Sequence, residues 1–359
     1  MSNHFGNVLR LTIFGKSHAP AVGMTLEGFP VGFTPDFDAL QRFLNRRAPG
    51  QGSYTTARQE ADEPEFLSGL VGGHTCGAPI TAIIHNTDAR SQDYVNLSDV
   101  PRPSHADYPA RMKYGESVDL RGGGAFSGRM TAPLCIAGGL CLQWLATKKI
   151  AVGAHILQIG AAKDTAFDPL APQLPVPAAL LCVLNTAVQS RMLAEINAAR
   201  EAGDSIGGMI ECAAVGLPVG CGEPMFDGLE NRLAQALFAI PAVKGVDFGS
   251  GFACAAMRGS AHNDPYYYDE SNAVRTRTNH AGGILGGIST GMPIILRVAF
   301  KPTPSIALPQ ESIRFSGGST ELSLKGRHDA CIVPRAVPCV EAAAALAITD
   351  AILEAKQWS

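Results

Sequence analysis

Residues 23–32 read GMTLEGFPVG, and residues 208–220 read GMIECAAVGLPVG. Each segment has a Gly-Met pair, a run suited to a β-strand, and then Gly, an apolar residue and Pro-Val-Gly. A second pair repeats in the same order, with GGHTCGAPI at 72–80 and GGISTGMPI at 286–294. Gly-Pro turns after strands would explain either match alone, but they do not explain two matches in the same order.

The repeat predicts a single α+β domain, residues 1–359, built from two pseudo-equivalent halves, roughly 1–150 and 200–359. The two blocks are spaced differently in the two copies, which excludes a solenoid of regular repeats. A site between the halves would draw residues from the whole chain.

Periodicity and turn residues predict the main elements. The predicted helices are 36–47, 131–148, 190–203, 229–240 and 340–356. The predicted strands are 8–14, 79–85 and 294–300.

The composition bounds the class of protein. Hydrophobic residues make up 46% and charged residues 17% of the 359 residues, and there are 39 glycines. This low charge favours a globular protein with much buried surface, as in an oligomer. The net charge of −3 gives no reason to expect nucleic acid or a membrane surface as a partner.

The nine cysteines form no Cys-x-x-Cys pair, which favours free thiols in a reducing cytoplasm and no metal site. The first residues do not resemble a secretory signal. We expect no apolar run long enough, and free enough of glycine and charge, to span a bilayer.

A glycine-rich stretch, RGGGAFSGRMTA at 121–132, precedes the long apolar run of the second predicted helix. Backbone N–H groups in such a loop can approach an anion at a helix N-terminus. It matches neither the P-loop nor the dinucleotide-binding fingerprint. Taken alone, a packing turn explains it equally well.

Three further loops combine His or Asp with basic residues. His18 follows the first strand, His105 lies in RPSHADY with Arg102, and Asp329 lies in KGRHDACIVPR with Arg327 and Arg335. Histidine is the usual group for proton transfer near neutral pH. Arginine is the usual fork for carboxylate or phosphate. Together they predict acid–base chemistry on a small polyanion.

Two other segments are candidates for binding. Lys301 in KPTPS follows a strand, where it suits a phosphate or ring contact, although a solvated strand end is the simpler explanation. Residues 46–64 are polar and rich in Gly and Pro, and contain Arg46, Arg47 and Arg58. A loop of this length is usually functional or disordered, and its arginines favour a functional lid.

At this level of detail the chain resembles the chorismate synthase family. The matching segments run in family order over nearly the whole chain. They are FGKSHAPAVG (14–23), RRAPG (46–50), SGLVGGHTCGAPI (68–80), NTDARSQDY (86–94), RPSHADY (102–108), KYG (113–115), RGGGAFSGRMTA (121–132), GDSIGG (203–208), AVKGVDFGSGF (242–252), NHAGGILGGISTG (279–291), KPTPS (301–305) and KGRHDACIVPRAVP (325–338).

The resemblance implies a lyase of the shikimate pathway, which leads to the aromatic amino acids. Members convert 5-enolpyruvylshikimate-3-phosphate to chorismate by anti-1,4 elimination of phosphate, with reduced FMN and no net redox change. It also implies a β-α-β sandwich, a homotetramer and a cytoplasmic location. The chain has no reductase domain, so the resemblance implies a separate flavin reductase, with NADPH as an indirect reductant.

The resemblance also assigns residues. His18 would protonate the departing phosphate, His105 would stabilise the reduced flavin ring, and Asp329 would assist removal of the ring proton. The flavin-binding positions would be Ala125, Phe126, Ser127, Gly286, Lys301, Pro302, Thr303, Pro304, Ser305 and Arg327. The substrate-binding positions would be Ser17, Arg47, Arg102, Ser127, Arg129 and Arg327, with Arg335 a further candidate.

Three positions depart from the family pattern. Ala125 replaces a basic residue, Ser53 stands where many members have Arg, and Lys16 replaces Glu or Gln and could return some positive charge. A non-catalytic paralogue that binds a phosphorylated ligand or flavin is therefore kept as an alternative. An ordinary flavin oxidoreductase explains the arginine density poorly.

Overall fold

The structure is a computed structural model that describes residues 3–50, 61–86, 99–176, 181–324 and 329–355. The helices in these ranges are α1 (Phe37–Arg47), α2 (Asp107–Tyr114), α3 (Thr131–Thr147), α4 (Gln189–Glu201), α5 (Leu229–Phe238), α6 (Gly259–His262) and α7 (Val333–Ala355). Single 3₁₀ turns include Arg121–Phe126 and Gly128–Met130, which lead into α3.

The strands of the first half are short and antiparallel. They are β1 (His4–Phe5), β2 (Arg10–Gly15), β3 (Ala21–Glu27), β4 (Glu65–Ser68), β5 (Leu70–Val71), β6 (His74–Thr75), β7 (Ile80–His85), and then β8 (Ala151–Ile159) and β9 (Ala162–Lys163), which join the second half. The strands that follow are β10 (Gly208–Val215), β11 (Val243–Phe248), β12 (Tyr266–Tyr268), β13 (Val274–Thr276), β14 (Ile284–Leu285), β15 (Ile288–Ser289), β16 (Ile294–Phe300), β17 (Gln310–Ile313) and β18 (Ser319–Leu322).

Two five-stranded sheets form the outer layers. Their strand orders are β1-β2-β3-β7-β4 and β11-β16-β10-β8-β9. Helix α3 packs on β2, β3 and β7 of the first sheet, while α7 packs on β8 and β10 of the second and against α3 itself. The helices therefore lie between the sheets, and the expected β-α-β sandwich of the α+β class is confirmed.

Helix α3 is apolar on all sides because both layers cover it. Its glycine pair, which is unusual in a helix interior, allows the closest contacts. A Cβ on Gly138 would overlap the backbone and side chain of Ala342 in α7, and a Cβ on Gly139 would overlap Leu40 of α1. Two neighbouring helices thus approach α3 at one level.

Two apolar helical stretches, Arg121–Thr147 and Val333–Ala355, are long and apolar enough to cross a membrane by length and composition. The expectation that no run is long enough was therefore wrong. Within the apolar 18-residue window of each stretch, most residues are buried inside the protein, 72% in the first and 94% in the second. In this fold they are the helical core between the sheets.

Most predicted elements lie within a few residues of the observed ones, but the last helix begins at Val333 instead of residue 340. The additional residues include two prolines. Pro334 lies in the first turn, where a missing N–H costs nothing, and Pro338 is accommodated inside the helix. The carbonyl of Ile332 accepts the first hydrogen bonds, from the N–H groups of Arg335 and Ala336.

The repeated sequence blocks occupy equivalent places in the two sheets. The first block contains most of the central strands β3 and β10, and the second contains the turn and second strand of the hairpins β5-β6 and β14-β15. The strands that follow those hairpins, β7 and β16, pair with β3 and β10 respectively.

In the first half, Thr75 makes the hydrogen bonds between the β5-β6 hairpin and the turn after β3. The Thr75 hydroxyl donates to the carbonyl oxygen of Pro30 at 2.6 Å and accepts the N–H of Phe33 at 2.9 Å. The Thr75 carbonyl accepts the N–H of Gly32 at 2.8 Å. One side chain thus joins the hairpin to the turn that ends β3.

The second half repeats these contacts. The Ser289 hydroxyl donates to the Pro218 carbonyl oxygen at 2.6 Å and accepts the N–H of Cys221 at 2.9 Å. The Ser289 carbonyl accepts the N–H of Gly220 at 3.0 Å. This correspondence supports the two-halves interpretation, which stays a prediction.

The C-terminal helix also fastens the start of the chain. The buried carboxylate of Asp350 accepts N–H groups from Asn7, Val8 and Leu9, the last at 2.8 Å. Arg232 of α5 contacts the same carboxylate at 3.4 Å. The first sheet is thereby tied to a residue more than three hundred positions away.

The hydroxyls of Thr75 and Ser289 each satisfy two backbone groups in a buried turn. We expect Thr75→Val and Ser289→Ala each to lower the free energy of unfolding by about 1–3 kcal/mol, since partners are left without a hydrogen bond. Urea denaturation measures this. Ser316→Ala, at an exposed hydroxyl that bonds Asp99, should change it by less than about 0.5 kcal/mol. Equal changes in the free energy of unfolding in all three variants would contradict the equivalent structural roles of the Thr75 and Ser289 hydroxyls.

Candidate active site

A cavity of about 570 Å³ opens where α3 and α7 begin. Its walls come from both halves of the chain, as expected for a site between them. The sequence-predicted residues that line it are Arg47, Arg102, His105, Ala125, Phe126, Ser127, Arg129, Lys301, Thr303, Pro304, Ser305, Asp329 and Arg335.

The glycine-rich stretch forms one wall. Gly122, Gly123 and Gly124 have φ angles of 58°, 85° and 55°, all in the left-handed region that disfavours side chains. The turn they make lies between the two predicted histidines. A Cβ on Gly122 would overlap the His18 ring, and a Cβ on Gly123 would lie 3.4 Å from Nε2 of His105.

The loop therefore brings together residues that are far apart in sequence. His105 is on the cavity side and lines it. His18 and the buried Ser17 lie directly behind Gly122 and are not part of the cavity wall. The Ser17 hydroxyl is buried and forms no hydrogen bond within the described residues.

A buried carboxylate orients His105. Asp107, 1% exposed, lies 2.6 Å from Nδ1 of His105 and accepts two hydrogen bonds from the Arg102 guanidinium, at 2.7 and 2.8 Å. Nε2 of His105 is thereby turned toward Gly123 and the cavity. Burial opposes ionisation of Asp107, but hydrogen bonds from Arg102 and His105 outweigh it and hold the pKa of Asp107 well below its usual range.

A second buried carboxylate holds two predicted substrate-binding arginines. Asp62 pairs with Arg47, at 2.8 Å from its Nε, and with Arg129. The Nε of Arg129 also donates to the Asn86 side chain at 2.9 Å. Both guanidinium groups are thus fixed at the cavity wall, where their charges face a ligand.

The wall at the start of α7 contains the third predicted catalytic residue. The Asp329 carboxylate accepts a hydrogen bond from Arg335, whose Nε donates to the Arg47 carbonyl oxygen at 2.9 Å. The backbone carbonyl of Asp329 accepts the Thr303 hydroxyl at 3.1 Å. These contacts join Asp329 to three segments that line the cavity.

Lys301 projects toward the His105 loop. Its Nζ donates to the Ser104 hydroxyl at 2.9 Å. Burial, with a smaller contribution from Lys244, lowers the pKa of Lys301. Lys16 is instead paired with Asp119 at 2.8 Å outside the cavity wall, so it does not replace the positive charge absent at Ala125.

The charge balance of the site is positive. Five cationic side chains line it, against Asp329 and the two carboxylates behind it, within the part of the chain that the structure describes. The N-terminus of α3 adds to the positive potential, since Thr131 and the preceding residues Ser127 and Gly128 lie at the wall and helix dipoles favour anions there.

Not every predicted residue belongs to this cavity. Gly286 lies in the β14-β15 hairpin, next to the first residue of α5, whereas the cavity wall includes Ala239, just beyond the other end of that helix. Ten helical residues span about 15 Å. Gly286 therefore does not line this cavity within one chain, and its assignment to the flavin stays a prediction. Pro302 is adjacent to the wall but does not line it.

The lid interpretation needs a correction. Arg46 and Arg47 end helix α1 and do not belong to a loop. Arg46 pairs with the buried Glu341 of α7 at 2.6 Å, which makes it part of the core. Residues 51–60, with Ser53 and Arg58, and Arg327 lie outside the described residues.

Sequence reasoning missed the carboxylates Asp62 and Asp107 and the segment 239–242, which lines the cavity with Ala239, Ile240, Pro241 and Ala242. Asp107 had a signal, because it lies two residues after His105 in a loop with Arg102. Asp62 and the apolar segment had none.

Comparison with known proteins decides the family. The family model described as chorismate synthase matches residues 9–353. The chain belongs to the chorismate synthase family. A chorismate synthase of Korarchaeum cryptofilum is 47% identical over 355 residues, covering 97% of each chain. One from Cytophaga hutchinsonii is 45% identical and covers 99% of each.

A crystal structure of a chorismate synthase superposes with a TM-score of 0.74 at 27% identity, covering 97% of this chain and 93% of that one. The chorismate synthase activity expected from the sequence is thereby supported over the paralogue alternative. The chain is a carbon–oxygen lyase that eliminates phosphate from 5-enolpyruvylshikimate-3-phosphate.

Gly122→Ala tests the loop between the histidines. An added Cβ meets the His18 ring at a left-handed φ, which costs about 1–2 kcal/mol before any overlap is counted. We expect a loss of unfolding free energy of at least that size, measured in urea, and a loss of turnover. Gly259→Ala, where an added Cβ meets nothing within 4 Å, is the matched control. A Gly122→Ala variant as stable as this control would contradict the geometry.

Asp107→Asn removes a charge but keeps the shape. Near pH 7 we expect it to cost about 3–5 kcal/mol, since Arg102 loses a buried partner. Because the folded-state pKa of Asp107 is depressed, its stabilisation is present above the unfolded pKa of about 3.9 and is lost as pH falls below it. Denaturation of the parent and of Asp107→Asn at pH values from 7 to 3 should show that the difference between their free energies of unfolding becomes smaller at acid pH. A difference in free energy of unfolding that does not change with pH would contradict the conclusion that Asp107 is ionised in the folded protein.

Proposed function

We propose that this chorismate synthase acts with reduced FMN bound in the cavity at the start of α3 and α7. The observation that supports this most is the pairing of apolar walls with five cationic side chains around an oriented histidine. The substrate has two carboxylates and a phosphate, and such a polyanion needs this kind of excess positive charge.

The residues present fit a flavin. Ala125, Phe126, Ile240 and Pro241 supply apolar surface for a planar ring, and about 570 Å³ is within the usual range for ligand pockets. The left-handed Gly123 leaves the space beside His105 clear of a side chain. Ala125 removes one cationic contact, which leaves Lys301 and the arginines to hold the anionic groups.

When bound, reduced FMN supplies the electron-rich ring that lets the elimination proceed without net oxidation or reduction. The chain positions the reactants and moves protons. Asp107 holds Nδ1 of His105, so that Nε2 faces the cavity. Arg47 and Arg129, fixed by Asp62, bind substrate anions.

His18 is proposed as the proton donor to the departing phosphate. Because it lies behind Gly122, we propose that the glycine loop adjusts when the substrate binds, so that the imidazole reaches the phosphate oxygen. A nearby phosphate would favour the protonated ring. Asp329, oriented by Arg335, is proposed to assist removal of the ring proton.

The assembly and cell context are also proposals. We propose a homotetramer in the cytoplasm, supplied with reduced flavin by a separate reductase that uses NADPH. We propose that in the tetramer the Gly286 hairpin contacts flavin bound in the cavity of another copy, because Gly286 does not line the cavity of its own chain. All nine cysteines are free thiols, which agrees with a reducing compartment.

The test is an anaerobic assay with chemically reduced FMN and 5-enolpyruvylshikimate-3-phosphate. We expect His18→Ala, His105→Ala and Asp329→Asn each to lower single-turnover rates by about 10²–10⁴, the usual cost of a positioned proton-transfer group. FMN binding, followed by fluorescence, should weaken in His105→Ala and be retained in His18→Ala.

His4→Ala, on the exposed strand β1, is the control and should turn over like the parent. Turnover of the parent with oxidised FMN, or without flavin, would contradict the assignment of reduced FMN as the cofactor. Parent-like rates in all three site variants would contradict the roles proposed for His18, His105 and Asp329.

A further inference from the structure

Two thiols meet at the edge of the cavity. Cys135 of α3 and Cys339 of α7 lie with their Sγ atoms 3.9 Å apart. Cys339 lines the cavity, whereas Cys135 is fully buried behind it. Neither thiol has a role in the elimination.

The backbone around the pair suits a covalent bond. Helices α3 and α7 pack tightly at Gly138 and Ala342, where even a Cβ on the glycine would overlap the facing residue. Cys135 lies three residues before Gly138, and Cys339 lies three residues before Ala342. Each cysteine is therefore about one helical turn from this contact and on the same face of its helix. A disulfide needs Cα atoms about 4.4–6.8 Å apart, which requires helices packed as closely as the Gly138–Ala342 contact indicates.

The surroundings make the two thiols unequal. The Cys135 thiol donates its hydrogen bond to the Cys339 sulfur. That hydrogen bond, together with the nearby guanidinium of Arg47, lowers the pKa of Cys339, while burial raises the pKa of Cys135. Cys339 is thus the sulfur that ionises more readily to the thiolate, and it is also the one that lines the cavity.

We propose that Cys339 and Cys135 are a peroxide-sensitive modification site that closes to a disulfide. The Cys339 thiolate attacks hydrogen peroxide, the O–O bond breaks, and sulfenic acid and hydroxide form. The Cys135 thiol then attacks the sulfenic sulfur, which forms the S–S bond and releases water. Two thiols are oxidised and one peroxide is reduced to two waters.

Closure would disturb the active site. The Sγ atoms must move from 3.9 Å to about 2.05 Å apart, which draws Cys339 toward α3. The backbone carbonyl of Arg335 lies 3.5 Å from that sulfur, and the Arg335 side chain holds Asp329. A shift of about 1 Å at such groups can cost about 10² in rate.

The experiment uses the full chain with Cys76 and Cys254, the two exposed cysteines, replaced by serine. Ligand-free protein is treated with hydrogen peroxide and analysed by peptide mass spectrometry under non-reducing conditions. We expect a cross-linked species joining the Cys135 and Cys339 peptides, about 2 Da lighter than the two thiol forms. We also expect turnover about 10²-fold lower, restored by dithiothreitol.

Two variants separate the site from general oxidation. Cys135→Ser should abolish the cross-link and leave Cys339 with added oxygen, while Cys141→Ala, at another buried cysteine of α3, should cross-link like the parent background. The proposal is overturned if peroxide leaves Cys339 as a thiol, or oxidises it to sulfinic acid in the parent background without a cross-link. It is equally overturned if Cys141→Ala loses the cross-link.

Discussion

The close crossing of α3 and α7 is the constraint on which the active site depends. Gly138 lets Ala342 approach until no side chain fits between the helices. Both helices begin at the same cavity, one with Ser127–Thr131 and the other with the Asp329–Arg335 segment. Because the crossing fixes their relative position, it also fixes the spacing between residues from the two halves of the chain.

The same arrangement accounts for the electrostatics. Buried arginines are costly unless they are paired, and here the pairing is with carboxylates behind the wall. Asp62 serves Arg47 and Arg129, and Asp107 serves Arg102 and His105. The cations are therefore held rigidly without being fully neutralised, and binding an anion requires little reorganisation.

The sequence was informative where chemistry depends on local pattern. The repeated Gly-Pro blocks predicted two related halves, and the His-Arg loops predicted which segments would meet. It was not informative about counter-ions, since nothing near Asp62 in the chain marks it as the partner of Arg129. Arg46, expected in a lid loop, was misplaced for the same reason: a charged residue looks identical in sequence whether it serves a helix, a loop or a ligand.

The position of α7 has a consequence for how the protein is made. The helix that fills the space between the sheets, and whose Asp350 binds the backbone of Asn7 to Leu9, is near the end of the described chain. During synthesis the backbone of Asn7 to Leu9 must wait for its partner carboxylate until more than three hundred further residues have followed it. Contacts of such long range slow folding and expose chains to aggregation. Production of this enzyme in cells should therefore be unusually sensitive to chaperone supply and translation rate.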